Sequence, residues 1–122
     1  MADKNHLRAL KRGPQRWKDW RLKQKSFKID LIGADLSGAN LRYFDLSETD
    51  LSEADLSGAD LTEANLVRTD FLMANLGGTD FNKAKLLETI FSNVNLGNCK
   101  NLDSAYHAGP SIVDVRTLEK SG

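Results

Sequence analysis

Large hydrophobic residues recur at every fifth position along most of the chain, a spacing that neither an α-helix nor a flat strand can bury. Five residues advance an α-helix by about 500°, so successive positions would step around its surface. In a strand they would alternate between faces, because five is odd. The pattern therefore predicts a chain that turns a corner every five residues and keeps these centres inside. The fourteen predicted core centres are Leu31, Leu36, Leu41, Leu46, Leu51, Leu56, Leu61, Leu66, Phe71, Leu76, Phe81, Leu86, Phe91 and Leu96.

A second inward column lies two residues before each centre and holds mostly alanine and threonine, with Ile29 and Phe44 as bulky exceptions. Aspartate or asparagine directly precedes twelve of the fourteen centres, the exceptions being Lys85 and Ile90. A coil with two inward and three outward columns per unit accounts for this distribution. Glycines at the corners relax the backbone there, at Gly33, Gly38, Gly58 and Gly78.

The segments "ADLSGANL", "EADLSGADLTEANL" and "TDFLMANL" resemble the pentapeptide-repeat family, whose unit reads A(D/N)LXX. The resemblance covers residues 29–98 without a gap. It implies an all-β solenoid, a right-handed, four-sided parallel β-helix with four units per coil and about 3.5 coils in all. At about 4.8 Å per coil the solenoid would be about 17 Å tall. Walls one to four then begin at Leu31, Leu36, Leu41 and Leu46.

Threonines in the inward column need partners inside such a coil. Thr49, Thr69 and Thr89 stack on wall one, and each buried hydroxyl requires a backbone acceptor. The phenylalanine centres enter only in the C-terminal half, from opposite walls at staggered heights.

Residues 1–28 are predicted to form a basic helical N-terminal cap. The ends of a solenoid contact only one neighbouring coil and expose strand edges, so they need covering. Leu7, Leu10, Trp17 and Trp20 recur at helical spacing among basic residues. Gly13 and Pro14 should break the run, with Pro14 starting a second helix.

Residues 99–122 are predicted to be a C-terminal capping segment, since the five-residue register is lost after Leu96. Cys99 still falls in the small inward column and reads as a buried core thiol. Asp114 reads as the N-cap of a short tail helix that ends at Gly122. The segments "NCKNLDSAYHAGPS" and "DVRTLEKSG" are similar to the stretch that follows the repeats in bacterial multidomain proteins joining pentapeptide repeats to a TIR signalling domain. The sequence leaves open whether the chain stands alone or belongs to a larger protein.

Composition narrows the class of protein. The chain has 122 residues, enough for one domain, and its 17 basic and 17 acidic residues balance to zero. Residues 1–28 carry ten Lys/Arg and two Asp (10 − 2 = +8), whereas residues 29–98 carry four Lys/Arg and twelve Asp/Glu (4 − 12 = −8). No apolar run approaches the length of a membrane span or a secretory signal, so a cytoplasmic location is the default expectation. The single cysteine fits a reducing compartment.

Catalytic and metal-binding patterns do not emerge from the sequence. His6 and His107 lie in opposite flanks, with no histidine or cysteine pair at metal-ligand spacing. Nothing in the spacing around Ser104 and His107 requires a Ser-His-Asp arrangement. The repeat aspartates come from successive walls and do not converge as paired catalytic carboxylates or calcium ligands do. The chain is therefore predicted not to be an enzyme and to need no metal or other cofactor.

The leading functional hypothesis is a structural and protein-interaction module, which acts as a rigid scaffold for a partner whose identity the sequence does not give. Five outward positions break the polar pattern and would form an apolar patch on walls four and one. They are Val67, Leu72, Met73, Leu87 and Ile90. Two occupants of this patch remain open: a second copy of the chain, giving a homodimer, and the protein's own tail.

Two alternatives involve nucleic acid and are less favoured. In one, the acidic body, with Asp30, Asp50 and Asp70 in one outward column, mimics DNA and binds a type II topoisomerase, as some pentapeptide-repeat proteins do. A rod of about 17 Å is short for that task, and the basic head opposes the field. In the other, the helical N-terminus binds nucleic acid through a basic surface. Its residues would be Arg8, Lys11, Arg12, Arg16 and Lys18.

Overall fold

The computed structural model describes residues 2–24, 28–107 and 112–113, and for residues 107, 112 and 113 it describes the backbone only. Two α-helices come first, and very short strands follow along the rest of the chain. In chain order the elements are α1 (Lys4–Leu10), α2 (Pro14–Leu22), β1 (Ile29–Asp30), β2 (Thr49–Asp50), β3 (Lys85–Leu86), β4 (Ile90–Phe91), a 3₁₀ turn (Leu102–Ser104), β5 (Tyr106–His107) and β6 (Ile112–Val113).

Parallel pairing between residues twenty apart organises the repeat region. Asp35 pairs with Asp55, Asn40 with Asp60 and Asp45 with Asn65. On wall one, β1 pairs with β2 in the same way. Pairing positions recur every five residues, so one turn of twenty residues has four sides. At nearly every corner the N–H of an inward residue donates to the oxygen of the centre three positions earlier, as Ala54 does to Leu51 at 3.1 Å. The backbone thus has the four-sided stacking that the resemblance implies.

The coil interior holds the leucine and phenylalanine centres. Thirteen of the fourteen are buried, and Leu96 in the uppermost coil is half-buried. Phe71 and Phe91 stack on wall one with ring centroids 5.5 Å apart, and Phe81 from wall three meets both rings edge-on. The entry of aromatic centres from opposite walls therefore produces one aromatic cluster in the C-terminal half.

Buried threonines bond to the coil beneath them. The hydroxyls of Thr69, Thr79 and Thr89 donate to the carbonyl oxygens of Leu46, Leu56 and Leu66 at 2.7, 2.7 and 2.8 Å. The Cys99 thiol occupies the next equivalent position and reaches the Leu76 carbonyl oxygen at 3.4 Å. Cys99 thus takes the place of a threonine in the inward column, and this contact gives it a structural role.

The last residue of nearly every five-residue unit adopts a left-handed conformation. Gly33, Gly38, Gly58 and Gly78 do so with φ between 65° and 72°. Residues with side chains occupy the same corner with φ between 52° and 67°, from Tyr43 to Asn93. The corner therefore imposes this conformation whether or not the sequence supplies glycine, at a steric cost for each side chain.

Both N-terminal helices pack beside the first coil. The Asp3 side chain accepts from the N–H groups of Asn5 and His6 and so caps α1, and Pro14 opens α2 after Gly13 with its φ of 100°. Trp17 is completely buried, stacks on Trp20 and lies 6.3 Å from the Phe44 ring, the bulky exception in the inward column. The large Phe44 side chain thus packs towards the helices.

Strand pairing continues past residue 98, further than loss of the five-residue register suggests. Asp80 pairs with Lys100 twenty residues on, β3 pairs with β5 at a spacing of twenty-one, and β4 with β6 at twenty-two. The first extra residue lies in the corner between Lys100 and Tyr106, where the 3₁₀ turn is, and parallel pairing continues beyond it. Wall one carries five rungs among the described residues, so the coil is taller than the expected 3.5 turns. The expected tail helix from Asp114 to Gly122 lies outside the described residues.

Candidate interaction surfaces

The outward aspartates are engaged in local hydrogen bonds. The Asp55 carboxylate accepts from the Ser57 N–H and hydroxyl at 3.0 and 2.6 Å, and Asp50 does the same with Ser52. In Asp35, bonds from the Ser37 hydroxyl and N–H hold the pKa of the carboxyl below its ordinary value. These contacts close a turn at the start of each wall, so the acids have a structural role that does not depend on a ligand.

The five residues of the apolar patch predicted on walls four and one differ in their exposure. Val67 and Leu87 occupy the same column on neighbouring rungs of wall four, and both are half-buried. On wall one, Leu72 and Met73 are 38% and 45% exposed. Ile90 is half-buried one rung higher, where β4 pairs with β6 of the tail. β6 therefore lies at the upper border of the patch, and Leu72 and Met73 are accessible.

A charged ladder borders this patch at the corner of wall four. Arg68 contacts Glu88 on the rung above at 2.8 Å and Glu48 on the rung below at 3.3 Å. Both partners raise the pKa of the Arg68 guanidinium, with Glu88 making the larger contribution. The ladder ties three rungs together beside Val67 and Leu87 and leaves no net positive charge there.

Three large hydrophobic side chains outside the predicted patch are exposed among the described residues, and none of them was predicted from the sequence. Leu22 on α2 is 79% exposed and Tyr106 on wall four is 60% exposed, one rung above Lys85. Tyr43 is also exposed, with the Arg42 guanidinium 5.6 Å from its ring centroid. Leu22 was missed because the helix was interpreted from the spacing of its tryptophans. Tyr106 was missed because it lies after the regular five-residue register ends.

The five residues of the predicted basic surface, Arg8, Lys11, Arg12, Arg16 and Lys18, are all exposed. Sequence reasoning missed the role of another basic residue, Arg21. Its guanidinium donates to the carbonyl oxygens of Asp45 and Ser47 at 2.7 and 2.8 Å, and the Trp17 ring N–H donates to the Asp45 oxygen at 2.6 Å. The spacing of Trp17 and Arg21, one helical turn apart, was the available signal.

Wall one receives similar bonds from the start of the chain. The Asp3 N–H donates to the Asp30 oxygen at 3.1 Å, and His6 Nδ1 accepts the Asp30 N–H at 2.9 Å. Side chains and backbone of the N-terminal segment thus bond the lower strand edge of the first coil on walls four and one.

Walls two and three face a cleft instead. It has a volume of about 610 Å³ and lies between the turn that joins the helices and the first coil. We call it the cap cleft and define it by Leu10, Lys11 and Pro14 on the helical side and by Leu36, Asn40 and Arg42 on the coil. Its floor is apolar, because Leu10 and Leu36 are buried core residues, and its rim carries Lys11 and Arg42.

No group of three or more metal-ligating side chains occurs among the described residues. His6 is used in the backbone contact to Asp30, and the Ser104 hydroxyl bonds to Asn82 Oδ1 and the Asn101 oxygen, both at 2.9 Å. Burial raises the pKa of the Cys99 thiol to about 11, which disfavours the nucleophilic thiolate. None of the helices in the described part of the chain is long and apolar enough to cross a membrane.

The family model for pentapeptide repeats, which represents eight copies of the unit, matches residues 29–66 and 61–98. The chain belongs to the pentapeptide-repeat family. Its fold is accordingly the right-handed quadrilateral β-helix of that family. Pentapeptide-repeat proteins are generally non-catalytic repeat modules.

Two solved structures of pentapeptide-repeat proteins are similar to the chain. Rfr23 from the cyanobacterium Cyanothece 51142 is 31% identical with a TM-score of 0.56, over 73% of this chain and 54% of that protein. A protein from the thylakoid lumen of Arabidopsis thaliana is 27% identical with a TM-score of 0.36, over 67% of this chain and 60% of its own. The chain thus spans little more than half the length of these proteins. Comparison with curated protein sequences gave no match.

Proposed function

We propose that the chain is a non-catalytic structural and protein-interaction module, of the kind that serves as the scaffold part of a larger signalling protein. The observation that carries the proposal is the exposure of Leu72 and Met73 on a wall whose other outward positions are largely polar. Exposed apolar clusters of this kind mark contact surfaces. The single cysteine is consistent with a reducing compartment, and the proposal places the protein in the bacterial cytoplasm.

Three segments have separate roles in this proposal. Residues 1–28 act as an N-terminal cap, residues 29–98 form the repeat β-helix, and residues 99–122 form a C-terminal capping segment. The bonds from Trp17 and Arg21 to Asp45 and Ser47 support the capping role, because they occupy acceptors that would otherwise belong to an unpaired strand edge.

The binding surface consists of the apolar patch formed by Val67, Leu72, Met73, Leu87 and Ile90, and the simplest partner for it is a second copy of the chain. A self-complementary patch would give a symmetric homodimer. Static light scattering of the wild type against Leu87→Asp tests this version, with Asn98→Asp as a control that adds the same charge on wall two. The wild type and the control should have twice the chain mass, and Leu87→Asp should be monomeric. A monomeric mass for all three proteins would remove the homodimer.

Nucleic-acid binding through Arg8, Lys11, Arg12, Arg16 and Lys18 is the second candidate, supported by the exposure of all five side chains. It predicts retention on heparin that weakens steeply with salt, and a protein that is not retained at low salt would exclude it. DNA mimicry has weaker support, since Asp30, Asp50 and Asp70 each accept a local backbone N–H through one carboxylate oxygen. A supercoiling assay with DNA gyrase that shows no inhibition at micromolar protein would exclude it.

A further inference from the structure

Every coil presents the same set of backbone groups on its lower edge. In the second coil, Asp55 and Asp60 donate their N–H groups to Ala34 and Ala39 of the first coil, both at 2.9 Å. The Asp55 and Ser57 oxygens accept from Leu36 and Gly38, both at 2.8 Å. On each wall the lower edge thus consists of one N–H group and two carbonyl oxygens at fixed positions in the five-residue unit.

The first coil offers the same groups with no coil beneath it. On walls four and one, Trp17, Arg21, Asp3 and His6 bond to four of them. On walls two and three, none of the described residues bonds to the equivalent groups. We call these six groups the open edge: the N–H and oxygen of Asp35, the Ser37 oxygen, the N–H and oxygen of Asn40, and the Arg42 oxygen.

The cap cleft lies directly over the open edge. The helices stand away from walls two and three there, which leaves about 610 Å³ between Lys11 or Pro14 and the first coil. Asp35, Ser37, Asn40 and Arg42 are all exposed. A backbone ladder that is continuous over two walls, next to an apolar floor, is the geometry by which an extended peptide adds a strand to a sheet.

Charge selects the kind of segment. Lys11 stands on the rim with Arg42, whose guanidinium lies 3.8 Å from the Asp60 carboxylate of the coil above, and the cleft adjoins an N-terminal segment of net charge +8 (ten basic less two acidic residues in 1–28). The one carboxylate in the lining, Asp35, accepts from the Ser37 hydroxyl and N–H, as Asp50 and Asp55 do from Ser52 and Ser57, so its negative charge is outnumbered by the basic residues around the cleft. An acidic segment is therefore favoured over a basic one.

We propose that the open edge binds an extended, acidic segment of a partner protein, which pairs in parallel with Asp35–Ser37 and Asn40–Arg42 and places apolar side chains on the cleft floor. To match the register, the segment needs two five-residue units with a corner between them. Its backbone supplies two N–H donors and one carbonyl acceptor to each wall. This surface is distinct from the apolar patch, so its test is independent of the proposed homodimer.

A direct probe is a fluorescein-labelled peptide with the sequence of residues 54–63, "ADLSGADLTE", which pairs with the same two walls from above in the folded chain. Fluorescence anisotropy with the full-length chain should show saturable binding. A scrambled peptide of the same composition and charge should bind at least tenfold more weakly. Equal binding of the two peptides, or no saturable binding of either, would overturn the proposal.

Proline at position 35 or 40 removes a backbone N–H of the open edge that makes no hydrogen bond to the second coil. The double variant Asp35→Pro/Asn40→Pro should bind the peptide at least tenfold more weakly than Asp35→Ala/Asn40→Ala, which loses the same side chains and keeps both N–H groups. Equal affinities would contradict strand addition. If circular dichroism shows that the proline variant does not fold, Lys11→Glu decides the charge argument: it should weaken peptide binding, and unchanged affinity would overturn the preference for an acidic segment.

Sedimentation velocity separates a partner segment from a second copy. Leu87→Asp should leave peptide affinity unchanged, because it alters a different wall. Self-association of the wild type that is lost in the proline variant and retained in Leu87→Asp would identify the occupant as a second copy, and so overturn the assignment to a partner protein.

Discussion

Replacement of Trp17 by phenylalanine should destabilise the protein by about 2 kcal/mol. The Trp17 side chain is completely buried, and its ring N–H donates to the Asp45 oxygen at 2.6 Å. Phenylalanine forfeits this hydrogen bond, at a cost of about 1 kcal/mol, although Arg21 still donates to the same oxygen. It also buries roughly 40 Å² less apolar surface, which contributes about another 1 kcal/mol. Trp17→Ala should cost about 3–5 kcal/mol because it leaves a cavity beside Phe44.

Urea denaturation followed by far-ultraviolet circular dichroism measures these changes without relying on tryptophan fluorescence. Trp20→Phe is the matched control, since Trp20 stacks on Trp17 with a centroid distance of 5.3 Å but is only half-buried. It should cost less than about 1 kcal/mol. If Trp17→Phe and Trp17→Ala both change the free energy of unfolding by less than about 0.5 kcal/mol, the helices do not stabilise the coil and the capping role is refuted.

Three further predictions concern the coil itself. Thr79→Val keeps the side-chain volume but removes the bond to the Leu56 oxygen at 2.7 Å, so it should lower the free energy of unfolding by about 1 kcal/mol; an unchanged urea midpoint would contradict it. Gly58→Ala should lower the free energy of unfolding by about 1 kcal/mol because residue 58 has a φ of 68°; the new Cβ would lie 4.0 Å from its nearest neighbours and meet no clash. Glu63→Gly, at a corner with a φ of 58°, should leave stability unchanged or raise it. A higher melting temperature for Gly58→Ala than for Glu63→Gly would contradict a left-handed corner. Cys99, whose pKa is raised from 9.0 to about 11, should react with iodoacetamide at pH 8 roughly a hundredfold more slowly in the folded protein than in urea, and equal rates would show that the thiol is not buried.

Most of the fold could be predicted from the five-residue spacing of the hydrophobic centres. A spacing that excludes helix and strand leaves a coil with a corner in every unit, and the structure buries thirteen of the fourteen centres in that way. The inward threonines were also predictable, because a buried hydroxyl must find a partner and the Leu46 and Leu66 oxygens beneath Thr69 and Thr89 are within reach.

Features set by backbone geometry could not be read from residue types. Tyr43 and Met73 adopt the same left-handed corner as the glycines, since the corner requires it and the fold pays the steric cost. The pairing of Tyr106 with Lys85 could not be predicted from the spacing, because one inserted residue makes their separation twenty-one instead of twenty. A repeat detected by spacing is lost at the first insertion, whereas hydrogen bonding tolerates a longer corner.

The candidate surfaces depended on information that the sequence holds only indirectly. Outward apolar residues such as Leu72 could be recognised as breaks in a polar column. Whether Arg21 faces solvent or the coil depends on how the helices dock, and the cap cleft exists because they dock on walls four and one. Charge counts identified the basic head but not the division between residues that bond the coil and residues that remain exposed.

The central claim is that the chain forms a coil of stacked twenty-residue turns and that the lower edge of the first coil is open on walls two and three. Residue-resolved amide hydrogen exchange tests this claim most directly. The N–H groups of Asp55 and Asp60 bond to the first coil at 2.9 Å, so they should exchange slowly. The equivalent groups of Asp35 and Asn40 should exchange orders of magnitude faster, whereas Asp30, bonded to His6, should be protected. Equal protection of Asp35 and Asp55 would contradict the open edge, and fast exchange at Asp55 and Asp60 would contradict the stacked coil.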